Sequence, residues 1–176
     1  MTLNDWLPAW LQAGAAVIAL GLGVWSVRAA GAAQRRRDRL ELRGLAVAIY
    51  PELLMFPTIT QRVRVGLSLL EARNGDQSFP ASMELTALIQ LPPMLERNID
   101  KLFLLGDAAG PSCLSLVRFI FQYNETVQRI ASEAMMMNAP QRVEALGQIE
   151  KHLTLLDKIV EKCTHEVGPI HNSVKE

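Results

Sequence analysis

The chain has 176 residues, and its 18 basic side chains balance its 18 acidic ones, so the formal net charge is zero. The positive charge is concentrated in residues 28–43, where six arginines outnumber Asp38 and Glu41, whereas residues 44–176 carry a small acidic excess. Nucleic-acid-binding domains spread basic side chains over a folded face, so this distribution argues against DNA or RNA as a partner.

Residues 7–27 contain no charged side chain and would form a helix roughly 31 Å long, enough to cross the hydrocarbon core of a bilayer. Trp6 and Trp10 mark one end and Trp25 the other, where amphipathic rings favour the headgroup level. Because the arginines follow this segment, the positive-inside rule places residues 1–6 outside and the rest of the chain in the cytoplasm. We therefore predict a single-pass anchor in a bacterial-type inner (plasma) membrane.

A cleavable secretory signal is the main alternative for this segment. Such a signal begins with a positively charged stretch, whereas the first positive side chain here is Arg28. The small residues at 29–33 loosely resemble a cleavage site, and cleavage would leave a secreted helical domain. The order of the charges favours an uncleaved anchor.

Small residues follow one face of the anchor, with Ala15, Ala19 and Gly23 at spacings of four. Such spacing lets two membrane helices approach closely, so this face is a candidate for self-association. The alternative is that glycine and alanine are simply common in membrane helices.

The basic juxtamembrane stretch, residues 28–43, is rich in good helix formers, so the helix should continue beyond the membrane. We expect its first arginines to contact anionic lipid headgroups. These residues are Arg28, Arg35, Arg36, Arg37 and Arg39.

Residues 44–168 show the three- and four-residue spacing of amphipathic helices and no strand-like alternation, which predicts an all-α bundle of about five cytoplasmic helices. The first of these should kink at Pro51 and end at Pro57, because proline lacks a backbone donor. A second should begin at Thr58 and end in the turn at residues 74–76.

Shorter elements follow. We predict a loop at residues 79–80, a short helix that begins at Ser82 and stops before the Pro92–Pro93 pair, and a helix that ends at Gly106. Residues 107–112 read as a tight connection, and residues 112–137 as a long helix at the centre of the bundle.

The last helix has the most regular pattern, in which apolar residues alternate steps of three and four. Its members are Leu146, Ile149, Leu153, Leu156, Val160, Cys163 and Val167. This pattern is typical of a coiled-coil-like seam, and the sequence leaves open whether it packs inside the domain or pairs with another copy. Gly168-Pro169 should end the helix and leave residues 169–176 as a flexible tail.

Few residues suggest chemistry. Cys113 follows Gly-Pro-Ser at a predicted helix start, where a thiol can become reactive, but it fits an apolar stripe, as does Cys163. His165 and His171 are metal-ligand types, yet Gly168-Pro169 interrupts them and the spacing matches no common zinc site. The sequence therefore predicts no catalytic, cofactor-binding or metal site.

Asn124 is the one amide inside the apolar pattern of the long helix. A buried amide needs partners and can fix the register of a helix or cap a neighbouring segment. Together with Tyr123 it could instead line a small pocket, but we favour register or capping.

These observations predict a membrane-anchored helical adaptor, scaffold or regulator that acts by protein–protein contact rather than catalysis. Its expected partners are the lipid bilayer and either another protein or a second copy of the chain. The seam of the last helix and the small-residue face of the anchor are the expected contact surfaces. Two alternatives stay open: a toxin- or defence-like membrane effector with a helical sensing domain, and a ligand sensor or enzyme with a pocket around Asn124 and Tyr123.

Overall fold

The computed structural model describes the backbone of residues 9–72 and 79–173, and side chains within these ranges from Leu20 onward except at positions 21 and 80. Five α-helices and one 3₁₀-helix account for nearly all of it. The elements are α1 Ala9–Ala72, α2 Phe79–Ala87, α3 Pro93–Arg97, the 3₁₀-helix Ile99–Leu105, α4 Gly106–Glu133 and α5 Ala139–Asn172. These ranges contain no strand, so the predicted all-α class is confirmed.

The chain divides into two compact units, residues 1–41 and 42–176. In the first unit, the described side chains are almost all exposed, including Leu22 and Trp25. Among the described residues, Leu22–Ala72 and Ile99–Glu133 contain stretches long and apolar enough to cross a membrane. The second stretch is 44% buried inside the domain, as expected of a core helix, whereas the first lies near the N-terminus.

The prediction that a helix ends at Pro57 and a new one begins at Thr58 was wrong, because α1 passes through both Pro51 and Pro57. An interior proline costs a helix about 3 kcal/mol. That cost is offset by packing, since Phe56 and Val63 on either side of Pro57 are buried in one apolar cluster. The Thr60 hydroxyl also donates to the carbonyl of Pro57 at 3.1 Å. The predicted turn at 74–76 lies outside the described residues.

The loop predicted at residues 79–80 is instead the start of α2. Phe79 is almost fully buried, and the Arg142 guanidinium lies 5.1 Å above the centre of its ring. Burial of the aromatic ring stabilises the folded chain when residue 79 is part of the helix. This explains why the helix begins three residues earlier than predicted.

The helix predicted to end at Gly106 is divided, and the connection predicted at 107–112 is helical. The division falls at Asn98, between α3 and the 3₁₀-helix. Gly106 has a φ of 87°, which favours glycine and allows α4 to start there. The small residues that read as a turn instead permit close packing: a Cβ on Gly110 would lie 2.8 Å from the carbonyl oxygen of Leu102.

The last helix also extends further than predicted, through Gly168-Pro169 to Asn172. Gly168 is buried, and a Cβ there would lie 3.4 Å from the Tyr50 ring. The same ring stacks on His171 at a centroid distance of 4.6 Å. Packing on Tyr50 therefore holds the final turn in place, where the sequence pattern predicts a flexible tail.

Candidate functional site

The seam of α5 lies in the interior of the second unit. All seven of its residues are buried, at 6% exposure or less, in one apolar cluster with residues of α1, α2 and α4. The helix therefore packs within the domain, which answers the question that its pattern left open. The seam is therefore not available as a contact surface for other proteins.

In the first unit, Trp25 and the arginines at positions 28, 35, 36, 37 and 39 are exposed. None of these arginines forms an ion pair within the described residues. Nothing lies within 4 Å of a Cβ built on Gly23, so its face is open. The side chains of Trp6, Trp10, Ala15 and Ala19 lie outside the described part of the chain.

An open groove of about 880 Å³ runs between α1 and α5 in the second unit. Leu53 of α1 and Val160 of α5 are buried and supply apolar surface to its lining. Leu54 and Pro57 are exposed and form part of the α1 wall. No sequence pattern on a single helix reveals this groove, because its two walls are about 100 residues apart in the chain.

Small and short polar residues keep the groove open. Thr60 and Thr164 line it from opposite helices, and Gly168 adds no side chain. Both hydroxyls are satisfied within their own helices, since Thr60 donates to Pro57 and Thr164 donates to the Val160 carbonyl at 2.8 Å. The groove therefore presents mainly carbon to an occupant, and these two hydroxyls need no partner from it.

A charged cluster crosses from α1 to α5 at one end of the groove. Arg64 contacts Glu150 through Nε at 2.8 Å and Asp157 through a terminal nitrogen at 2.7 Å. The hydrogen bond that Arg64 donates to the Glu150 carboxylate raises the pKa of Arg64, burial opposes that rise, and Asp157 adds to it. Two carboxylates on one guanidinium leave this end with a net negative charge.

The rim of the groove is also acidic on α5. Glu161 lines the groove one turn after Asp157, is exposed, and has no ion pair within the described residues. At the opposite end lies the Tyr50–His171 stack. His171 is half-buried there, and its Nδ1 is buried without a hydrogen-bond partner in the described part of the chain.

Beside the groove, α1 carries a second face that the core does not cover and on which large apolar side chains alternate with small or uncharged polar residues. We call it the α1 stripe, and all its members are exposed and uncharged. They are Gly44, Val47, Pro51, Leu54, Thr58, Gln61, Val65 and Leu69. The exposed fractions of Val47, Leu54, Val65 and Leu69 are between 40% and 63%. Sequence reasoning missed this stripe because it considered only the buried apolar face of this part of the chain, although steps of three and four are visible at these positions.

Tyr123 and Asn124 hold the segment that follows α2. The Tyr123 hydroxyl donates to the Ala87 carbonyl at 2.8 Å, and burial raises its pKa. The Asn124 amide donates to the Ile89 carbonyl at 2.8 Å and accepts from the Ile89 N–H at 3.0 Å. Asn124 thus holds the backbone at Ile89, which agrees with capping, one of the two roles (register or capping) favoured for it, and neither residue lines the groove.

The two thiols are buried and free in the core. A hydrogen bond with Cys113 and burial both raise the pKa of Cys163. Glu166 and Lys162 lie close enough to influence the pair, and the carboxylate raises that pKa further. Within the described residues, no group of three or more histidine, cysteine, aspartate or glutamate side chains is placed to hold a metal ion.

Comparisons of the chain with protein-family models, with curated proteins and with solved structures find no match. The groove, the α1 stripe and the charges around them are therefore the features of the molecule that bear on its function.

Proposed function

We propose that this protein is a membrane-anchored adaptor or scaffold whose cytoplasmic helical domain binds protein through the α1–α5 groove and the adjoining α1 stripe. The observation that carries the proposal is the juxtaposition of the two surfaces. An apolar groove with satisfied hydroxyls borders an uncharged, exposed helix face, and Leu54 and Gln61 belong to both.

The shape of this combined surface favours a protein partner over a small molecule. Small-molecule sites are concave and bury most of the ligand. Here the groove is open and adjoins the α1 stripe, whose members extend over 26 residues of the helix, a length of roughly 39 Å. An extended apolar surface with a polar rim is typical of the sites that receive an amphipathic helix.

The proposed location is the inner face of a bacterial-type inner membrane. Residues 7–27 would cross the bilayer, with the N-terminus outside and the helical domain in the cytoplasm. The five exposed arginines between positions 28 and 39 would each contribute about 1 kcal/mol of attraction to anionic headgroups. The face formed by Ala15, Ala19 and Gly23 would add a helix contact inside the membrane.

Site-specific photocrosslinking in membranes tests the proposal. A photoreactive residue replaces Leu54, which is 54% exposed in the groove and stripe, or Leu85 on α2, which is 87% exposed outside them. We expect a discrete protein adduct from position 54 and none from position 85. Equal labelling at both positions, or none at 54, would contradict the proposal, as would release of the full-length chain from membranes without detergent.

A further inference from the structure

We propose that the occupant of this surface is a second copy of the chain, paired in parallel through the α1 stripe around a twofold axis. This inference rests on the proposed function and names the partner. Three features of the described residues support it: the spacing of the stripe, the common orientation that an anchor imposes, and a pair of unmatched charges.

The spacing of the stripe is that of a two-helix seam. From Gly44 to Gln61 its members step by three and four, and Val65 and Leu69 continue the same face. A repeat of about 3.5 residues keeps one helix face against an identical partner. Gly44, Pro51 and Thr58 alternate with the larger Val47, Leu54 and Gln61, so two such helices can approach closely along the seam.

An anchor makes the parallel arrangement the natural one. Copies inserted in one membrane have the same orientation. Their α1 helices therefore run in the same direction relative to the membrane, with the α1 stripes at the same height. Confinement to a plane raises the effective concentration of one copy around another, so a modest contact is sufficient. Twofold symmetry makes the contact self-complementary and closed.

The third feature is the position of a charged residue of one copy relative to the groove of the other. With 100° of rotation per residue, Arg62 lies on one flank of the α1 stripe, and the groove-lining Pro57 and Arg64 lie on the other. In a parallel twofold pair, each flank faces the opposite flank of the other helix. The partner's Arg62 would therefore point towards the groove of the first copy.

The partner's Arg62 would find an unpaired carboxylate there. Arg64 contacts Asp157 and Tyr50 lies against Gly168, so α1 and α5 are antiparallel. Glu161, one turn after Asp157, is then within about one helical turn of the height of position 62. Within the described residues, neither Arg62 nor Glu161 has an ion pair of its own, and both are exposed.

Charge reversal in the full-length chain tests this pairing. Two differently tagged copies carry the photoreactive residue at position 54, and the yield of mixed dimer is measured in membranes for Arg62→Glu, Glu161→Arg and the double variant. We expect each single reversal to reduce the dimer yield roughly fivefold or more, because two contacts by symmetry become repulsive. The double variant should restore it. Arg118→Glu, an exposed reversal on α4, is the matched control and should leave the yield unchanged.

The outcomes separate this inference from the proposed function. Failure of the double variant to recover, with the unfolding midpoints of all variants unchanged, would overturn the pairing. An adduct at position 54 that contains a different protein and no second copy would overturn the dimer and leave the adaptor proposal standing. Absence of any adduct at position 54 would overturn both.

Discussion

Helix α5 meets its neighbours in two different ways, and the difference is instructive. Towards the core it presents a large or branched apolar side chain at nearly every step of its seam, and that side is fully buried. Towards α1 it presents Asp157, Thr164 and Gly168, and a groove remains open. A helix interface closes where each turn supplies apolar volume on both sides, and stays open where a short side chain such as that of Thr164 takes that place.

The largest effect on stability should come from the buried seam of α5, which we call the closed side of this helix. Leu156→Ala removes a fully buried side chain of the seam, so we expect the free energy of unfolding to fall by about 2–5 kcal/mol. The neighbouring Leu155 is 49% exposed, and Leu155→Ala should cost only about 0.5 kcal/mol. Urea unfolding of the detergent-solubilised chain measures both. Similar losses for the two variants would show that the seam is not the packed interior described above.

Close packing at the start of α4 gives the next largest effect. Gly110→Ala would place a Cβ 2.8 Å from the carbonyl oxygen of Leu102 and 3.3 Å from the Cα of Phe103, both backbone atoms that cannot swing aside. We expect a loss of about 1–3 kcal/mol. Gly147→Ala on α5 has open space around it and should instead raise stability by up to about 1 kcal/mol. The same urea measurement checks the pair, and a neutral Gly110→Ala would contradict the close contact.

Much of the closed side could be predicted from the sequence, because an uninterrupted apolar pattern on one helix specifies its own buried face. The ends of the helices could not. Pro57 and Gly168-Pro169 are local stop signals, yet burial of Phe56, Val63 and Gly168 carries both helices past them. Tertiary packing contributes more than the local propensity at these points.

The groove and the α1 stripe could not be predicted from the sequence, for different reasons. The groove needs two helices brought together, and its spacing is fixed by contacts such as Arg64 with Asp157, between residues far apart in the chain. The stripe was visible at Val47, Leu54 and Val65, but only the structure shows which apolar face of α1 the core covers and which it leaves free.

Tyr123 of α4 lies in the same apolar cluster as the seam of α5 and provides a pH-dependent test of that packed interior. Tyr123→Phe removes the hydrogen bond to Ala87, so we expect a loss of about 1 kcal/mol at neutral pH. Burial raises the pKa of this tyrosine in the folded state, so its protonated form contributes stability that is complete below the unfolded value of about 10 and is lost as pH rises above it.

Urea unfolding at a series of pH values from 8 to about 11 measures that contribution. The wild-type stability should fall more steeply above pH 10 than that of Tyr123→Phe, by up to about 1.4 kcal/mol per pH unit. Parallel curves for the two proteins would contradict the shifted pKa.

The smallest change in stability should come from substitutions in the groove between α1 and α5. These substitutions also distinguish a binding surface from a packing defect. Thr164→Leu adds apolar volume to the groove, where Thr164 is half-buried and its hydroxyl donates to the Val160 carbonyl. Thr154→Leu is the matched control, since Thr154 makes the same bond to the Glu150 carbonyl on α5 but is exposed outside the groove.

We expect both threonine variants to unfold within about 0.5 kcal/mol of the wild type, because neither creates a cavity or overfills the core. Only Thr164→Leu should reduce photocrosslinking from position 54, since the added side chain occupies space that a partner needs. Gain of more than about 1 kcal/mol with unchanged crosslinking would identify the groove as an unfilled part of the core, because filling such a defect stabilises a protein.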